Sequence, residues 1–166
     1  MYTYNEEWFD CTPQAAFELA NQVELWPKRL SHYRTIRFRE GSSNAMGGIV
    51  EMAAVRSFRR LHWPVRWVSD MKADPAALLI QYRHVEGVTR GMDVEWRFEA
   101  WGAGTKVSIV HRWDKPPIGR RLAADRIGKH FVHFIAGQTL QGLKTAAEST
   151  ISREAGYTRW ASIGQL

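Results

Sequence analysis

Residues 92–113 read Met-Asp-Val-Glu-Trp-Arg-Phe-Glu-Ala-Trp-Gly-Ala-Gly-Thr-Lys-Val-Ser-Ile-Val-His-Arg-Trp, and their alternation decides the fold. Met92, Val94, Trp96 and Phe98 fall on one side of an extended chain, Asp93, Glu95, Arg97 and Glu99 on the other. A period of two is the signature of a half-buried strand. Gly102-Ala-Gly104 interrupts the run, after which Val107, Ile109, His111 and Trp113 resume the apolar parity against Lys106, Ser108 and Arg112. The stretch is therefore an antiparallel hairpin with one dry face, its glycine turn carrying no nucleotide-binding information.

Working back towards the N-terminus, the same Val-, Ile-, Trp- and Phe-rich texture reaches Ile36, with breaks at residues 41–44, 59–61, 73–75 and 87–91. Loops this short favour antiparallel neighbours, giving six strands between Ile36 and Asp114. In one of them Trp63, Val65, Trp67, Ser69 and Met71 share the expected inward face, while His62, Arg66, Asp70 and Lys72 point out. In another, Arg56 shares a face with Val50, Met52, Ala54 and Phe58, opposite Glu51, Ala53, Val55 and Ser57. Alternation alone leaves open which of those two faces is inward.

Ahead of these strands, Tyr2 to Asp10 reads as a first strand, and Thr12-Pro13 is an N-cap followed by proline at the first helical position. Ala16, Phe17, Leu19, Ala20 and Val23 mark a short amphipathic helix, and Leu25 to Leu30 one or two further helical turns around Pro27. Beyond Pro116-Pro117, the residues Leu122, Ile127, Phe131, Phe134, Ile135, Leu143 and Ala147 mark the apolar side of a long helix from about Leu122 to Glu148. Phe131 and Phe134 are expected among its most buried residues, and Gly128, Gly137 and Gly142 predict a kink or a close approach. Residues 1–150 form one domain in this reading and 151–166 a C-terminal extension, loosely ordered beyond Glu154. A long helix against one face of an antiparallel sheet is an α+β architecture.

Composition narrows the class. The 166 residues are 45% hydrophobic and 24% charged, which excludes fibrous and broadly disordered chains. Eight Trp, seven Phe and five Tyr supply enough rigid apolar surface for a large core or a pocket. Lys and Arg number 23 against 17 Asp and Glu, a net charge of +6 that suits an acidic partner. The cations are scattered singles and pairs such as Arg59-Arg60 and Arg120-Arg121, so no nucleic-acid stripe is expected. One cysteine, Cys11, cannot form an internal disulfide, and the polar, acidic Met1 to Glu7 lacks signal-peptide character. A cytoplasmic protein without a transmembrane segment is expected.

Strand, two short helices, six antiparallel strands and a long closing helix resemble the helix-grip fold of the START and Bet v 1-like superfamily, with a seven-stranded antiparallel sheet wrapped around the C-terminal helix. Cys11-Thr-Pro-Gln-Ala-Ala-Phe-Glu-Leu-Ala with Val23-Glu-Leu-Trp-Pro is similar to the opening of bacterial members, and Glu95-Trp-Arg-Phe-Glu with Gly104-Thr-Lys-Val-Ser-Ile-Val-His to their last hairpin. Within the superfamily the chain resembles polyketide aromatase/cyclases, which close and dehydrate poly-β-ketone rings by aldol chemistry in a cavity between sheet and helix. The resemblance rests on Tyr33, on the Trp67-Val-Ser69 segment and on His111. It departs at Asp70-Met71, where the family commonly has an arginine, and at Gln138-Thr139, where some members carry an acid.

Ring closure needs a base to take a proton from a carbon between two carbonyls and donors for the developing oxyanion. His111, on an inward face among Val, Ile and Trp, is the candidate base, with Tyr33 and Ser69 as candidate catalytic donors. Trp63, Trp67 and Trp96 are candidates for stacking on a planar ligand, with Met71, Phe131 and Ile135 as further ligand-binding positions. Arg56 joins them if its face is inward. His130 and His133 are three apart, and His62, His84 and His111 are additional imidazoles, but no metal-binding spacing links them, and neither metal nor cofactor is expected.

The resemblance implies a hydrophobic ligand (polyketide, aromatic or isoprenoid) and an acidic acyl carrier protein as partner, with Arg59, Arg60, Arg120 and Arg121 placed to meet it. Two other functions remain open at this point: a lipid, quinone or aromatic-product carrier using the same cavity without chemistry, and a partner-binding module whose cavity is filled by its own side chains. A cavity of roughly 300–1,000 Å³ separates the ligand-binding readings from the third.

Overall fold

The structure is a computed structural model that describes residues 1–58, 61–114 and 131–163, the side chains of residues 56–62 and 150–163 excepted. Arg59, Arg60, Arg120, Arg121, Leu122, Ile127, Gly128 and His130 lie outside the described residues, as do the side chains of Arg56 and His62.

The chain opens with β1 (Tyr2–Phe9) and α1 (Pro13–Asn21). Thr12 Oγ1 accepts the Ala15 N–H at 3.3 Å and Pro13 occupies the first turn of α1, where a missing N–H costs nothing. A 3₁₀ turn (Val23–Leu25) leads into α2 (Trp26–Arg29), and six strands follow: β2 (Tyr33–Ser42), β3 (Gly47–Phe58), β4 (Leu61–Asp74), β5 (Leu79–Gly87), β6 (Asp93–Trp101) and β7 (Gly104–Arg112). The last element is α3 (His133–Ile163). All seven strands form one antiparallel sheet in the order β1-β7-β6-β5-β4-β3-β2. The first strand thus pairs with the last, Thr3 opposite His111 and Asn5 opposite Ile109. This is the α+β helix-grip architecture that the sequence predicts.

The concave face is dry, as the alternation requires. Met92, Val94, Trp96 and Phe98 are buried, as are Val107, Ile109, His111 and Trp113 from β7 and the segment after it. Val50, Met52 and Ala54 are buried on β3, so position 56 falls on the concave parity of that strand. Charge collects on the opposite face. Glu51 receives Arg37, Arg39 and Arg66, and Arg39 also holds Glu86, an ion-pair set that ties β2, β3, β4 and β5 together.

From α3, Val132 just ahead of it, Ile135, Ala136, Leu140, Leu143 and Ala147 are buried, and Asn5 Nδ2 donates to the His133 carbonyl oxygen at 3.1 Å. Lys144 pairs with Glu7 of β1 at 3.0 Å. Two expectations for this helix need correction. Phe134 is 37% exposed, because Val132, Ile135 and Ala136 take the inward positions around it, and Phe131 is only partly buried. The helix also continues past Glu154 to Ile163. The close approach expected of its glycines is met at Gly142, where an added Cβ would stand 2.3 Å from Leu30 Cδ2.

These positions make a contrast that chemical denaturation measures. Leu143→Ala should cost about 2–5 kcal/mol, since the side chain is fully enclosed. Phe134→Ala should cost about 1 kcal/mol or less.

Candidate functional site

Under α3 the concave face borders a cavity of about 80 Å³. Its wall comes from α2 and β2 (Trp26, Tyr33), from the middle strands (Met52, Val65, Trp67, Tyr82, His84, Val94, Trp96), from β7 (Ile109, His111) and from the start of α3 (Ile135, Ala136, Thr139). Thr89 and Met92 close the β5–β6 end, and Phe131 and Val132 the side ahead of α3. No Lys, Arg, Asp or Glu borders it among the described residues. The volume falls below the ~300–1,000 Å³ that distinguishes a ligand pocket from a core filled by its own side chains. The aromatic load explains the difference: Trp96, Trp26, Tyr33, Trp67 and His84 follow one another round the wall at centroid distances of 5.6, 5.2, 6.3 and 6.0 Å, occupying much of the space that they border.

His111 is 8% exposed, and Thr3 Oγ1, its ladder partner on β1, lies 3.1 Å from Nδ1. Burial pushes its pKa down to about 3, with the neighbouring His84 and His133 adding to the effect, so the ring is neutral at pH 7. His84 is its counterpart on β5: Thr89 Oγ1 lies 2.6 Å from Nδ1, the ring stacks on Trp67 at 16°, and burial again brings the pKa to about 3. Trp113 steadies the turn that supplies Thr89, its Nε1 donating to the Arg90 carbonyl oxygen at 3.1 Å. Tyr33 is 6% exposed, its hydroxyl is 3.4 Å from Thr139 Oγ1, and burial pushes its pKa up to about 12. Thr139 donates to the Ile135 carbonyl oxygen at 2.8 Å, and the same Oγ1 lies 3.0 Å from His32 Nε2. Burial lowers the His32 pKa to about 4.

An irregularity in the sheet keeps one carboxylate, Glu86, off this wall. Val68 pairs with Glu86, but Ser69 pairs with His84, so β5 carries an extra residue, Val85, at that point. Without it Glu86 would stand opposite Trp67 on the concave face. The bulge sends Glu86 out to Arg39 and places Gly87 opposite Trp67 instead. Gly87 has φ +98°, and a Cβ there would come within 2.7 Å of the Arg66 carbonyl oxygen and 3.1 Å of Trp67 Cβ.

Of the residues singled out from sequence, Tyr33, Trp67, Trp96, His111, Phe131 and Ile135 border this one cavity. Ser69, Met71 and Trp63 do not. Ser69 is wholly buried between its ladder partners Val50 and His84, too short to pass them, and its Oγ has no hydrogen-bond partner among the described residues. Met71 packs in the core, where its neighbour Tyr82 takes the wall position. Trp63 shares the parity of Val65 and Trp67 but lies beyond the last cavity contact on β4 and is 69% exposed. Sequence reasoning passed over Trp26, His32, Tyr82 and Thr89, and treated His84 only as a spare imidazole. The signal for two of them was present: Ile80, Tyr82 and His84 alternate on β5 with the parity of an inward face. Elsewhere, a groove of about 440 Å³ is bordered by Lys72, Arg83, Asp93, Glu95 and Arg112 together with Gln81, Val94 and Val110, and Arg83 pairs with Asp93. No helix among the described residues is long and apolar enough to cross a membrane.

Comparison with known proteins places this geometry. No family model matches the chain. The "Putative polyketide cyclase" of Streptomyces halstedii is 27% identical over 113 residues, 68% of this chain and 96% of that protein. The Zhui aromatase/cyclase from Streptomyces sp. R1128 superposes with a TM-score of 0.74 at 16% identity, covering 91% of this chain and 95% of that one. Ara h 8.0201, a Bet v 1-like protein, superposes with a TM-score of 0.61 at 18% identity, covering 90% and 98%. At these identities the two structures establish the shared helix-grip fold.

The depressed imidazoles have a measurable consequence. Unfolded, His32, His84 and His111 take up protons near pH 6.5; folded, they resist until about pH 4, 3 and 3. The unfolded state thus binds more protons as pH falls below about 6.5, and stability falls with it, each fully buried ring costing about 2 kcal/mol by pH 5. Denaturation midpoints measured from pH 7.5 to 5 should drop steadily, and His84→Gln should flatten the slope.

Proposed function

We propose that the chain is a polyketide cyclase/dehydrase of the aromatase/cyclase type, binding a β-ketone chain or its aromatic product against the concave face and promoting aldol closure and dehydration. The observation that carries this reading is that a neutral, threonine-held imidazole, His111, and a high-pKa phenol, Tyr33, border one cavity with no charged side chain among its described lining. The named function of the Streptomyces halstedii relative supports it.

His111, with Nδ1–H donating to Thr3, accepts at Nε2 a proton from the carbon between two carbonyls. Tyr33 donates to the enolate oxygen so formed, and its high pKa keeps the proton on the phenol at neutral pH. The carbanion attacks a distant carbonyl carbon, the new C–C bond closes the ring, and the imidazolium returns its proton to the alkoxide. A second proton removal at the same carbon expels the hydroxyl, which leaves as water. The aromatic wall holds the ring flat while this happens, and desolvation of the imidazole lowers its affinity for the proton until the enolate's charge develops beside it. In this reading substrate arrives on an acidic acyl carrier protein, drawn by the chain's net charge of +6.

A second reading, a carrier of an aromatic, quinone or lipid ligand, is favoured by Met71 and Thr139, which leave neither a cation nor a carboxylate at those places. One variant separates the two. His111→Ala should reduce ring closure by about a hundredfold or more, the size of a general-base contribution, with ligand affinity retained. Unchanged product formation by His111→Ala, followed by product analysis of a β-ketone substrate, would leave the carrier.

A further inference from the structure

Ring closure and dehydration remove two protons from one carbon in turn, and in the proposed chemistry His111 serves the first. The cavity is bordered by a second imidazole. His84 sits on β5, two strands from β7, a separation of about 10 Å that one ring of a ligand can span. The residue is held at its backbone, its ring face and its ring edge. Its N–H donates to the Met92 carbonyl oxygen at 2.9 Å, and its carbonyl oxygen accepts the Gly91 N–H at 2.8 Å. The ring stacks on Trp67 at 16°, and Nδ1 lies 2.6 Å from Thr89 Oγ1.

A histidine that only fills a core satisfies both of its ring nitrogens. His84 Nε2, across the ring from Thr89, meets no hydrogen-bond partner among the described residues. Nor is it sealed from open space, as Ser69 Oγ and the Tyr82 hydroxyl are. His111 is in the same condition, with Nδ1 on a threonine and Nε2 open. Two imidazoles on different strands thus border one cavity, each with one nitrogen engaged and the other not. Burial brings the His84 pKa to about 3, so at pH 7 the ring is a neutral acceptor. A charge on His84 opposes one on His111, which suits transfers made one after the other.

We propose that His84, with Nδ1–H donating to Thr89 Oγ1, is the base of the dehydration step. After His111 has returned its proton to the alkoxide, His84 Nε2 takes the remaining proton of the carbon between the two carbonyls. The C–O bond to the hydroxyl breaks as the C=C bond forms, and the His84 imidazolium gives its proton to the departing hydroxide, which leaves as water. Both rings end neutral, and no other reactant is consumed. The inference rests on the cyclase reading and adds a second catalytic residue to it.

The test separates the two steps with two compounds. Nonane-2,4,8-trione closes to 2-acetyl-3-hydroxy-3-methylcyclohexanone, and that ketol loses water to 2-acetyl-3-methylcyclohex-2-enone. Each is given separately to the full chain at pH 7, and products are followed by chromatography with the uncatalysed rate subtracted. His84→Gln should slow water loss from the ketol by about a hundredfold and lower the ratio of water loss to closure by about tenfold or more, whereas His111→Ala should shift that ratio the other way. Thr89→Val, which keeps the imidazole but releases Nδ1, should lower the ratio by about tenfold, with Thr89→Ser restoring it. That pair carries the test if His84→Gln does not fold. In the ligand-free protein, proton–nitrogen correlation NMR should show His84 protonated at Nδ1 and bare at Nε2. A proton on Nε2 overturns the assignment, as does an unchanged ratio in His84→Gln or, failing that variant, in Thr89→Val. Equal losses in both steps, the mark of a general structural defect, overturn it as well. A parent active in both steps beside an unaffected variant defeats the role of His84 alone, while a parent that neither closes the trione nor dehydrates the ketol removes the cyclase reading and this assignment with it.

Discussion

Apolar side chains pack between α3 and the concave face of the sheet, and the fold depends on the surface that this packing removes from water. The period-two parity of β3, β6 and β7 brings Met52, Trp96 and Ile109 to one side, and Ile135, Ala136, Leu140 and Leu143 cover them. The gain from removing this apolar surface from water holds α3 in place. The same removal acts on every titratable ring trapped there. His84 and His111 are driven neutral and Tyr33 and Tyr82 are kept protonated, so the packing that stabilises the protein also sets which groups accept protons and which donate.

Orientation comes from the edges of the sheet. Thr3 reaches His111 only because β1 pairs with β7, which brings the two ends of a long sequence separation into register. Thr89 reaches His84 because the β5–β6 turn folds back over the strand under the brace of Trp113. The bulge at Val85 completes the division of labour: it turns Glu86 to the convex face, where arginines receive it, and spares the cavity a carboxylate that would have needed a buried cation. Charge is abundant in this protein, and the described residues keep it on the outside of the sheet.

An uncharged wall also bears on how this chain differs from the pattern that it resembles. With Met71 and Thr139 where an arginine and an acid are expected of aromatase/cyclases, the polar side chains of the described wall are phenols, imidazoles, indoles and threonines. Such donors are directional and weak singly, and their value depends on how dry and how well fixed they are. The rings that narrow the cavity to about 80 Å³ include the side chains that carry these polar groups.

The architecture was legible in the sequence because it rests on local patterns. Alternation in residues 92–113 and 63–72, the Thr12-Pro13 start and the glycine turns each act within a few residues, and the number and pairing sense of the strands followed from them. Trp67 and His111 were legible as well from strand parity and the resemblance together, Trp96 from parity alone and Tyr33 from the resemblance alone. Parity, however, says which face a side chain takes, and says nothing of how far the covering helix extends or how long a neighbour's side chain is. Trp63 is on the right face but past the cover, Ser69 is on it but beneath its neighbours, and Phe134 yields its place to Val132, Ile135 and Ala136. Tyr82, His84 and Trp26 become a site only when β4, β5 and α2 are brought round one space, and their unpaired or threonine-held atoms are properties of that enclosure. The sequence by itself determined the strands, their faces and the helix-grip plan, because these follow from residue-to-residue periodicity. Which polar groups are desolvated together was decided by the tertiary structure alone, because desolvation depends on what covers a group from the other side of the chain.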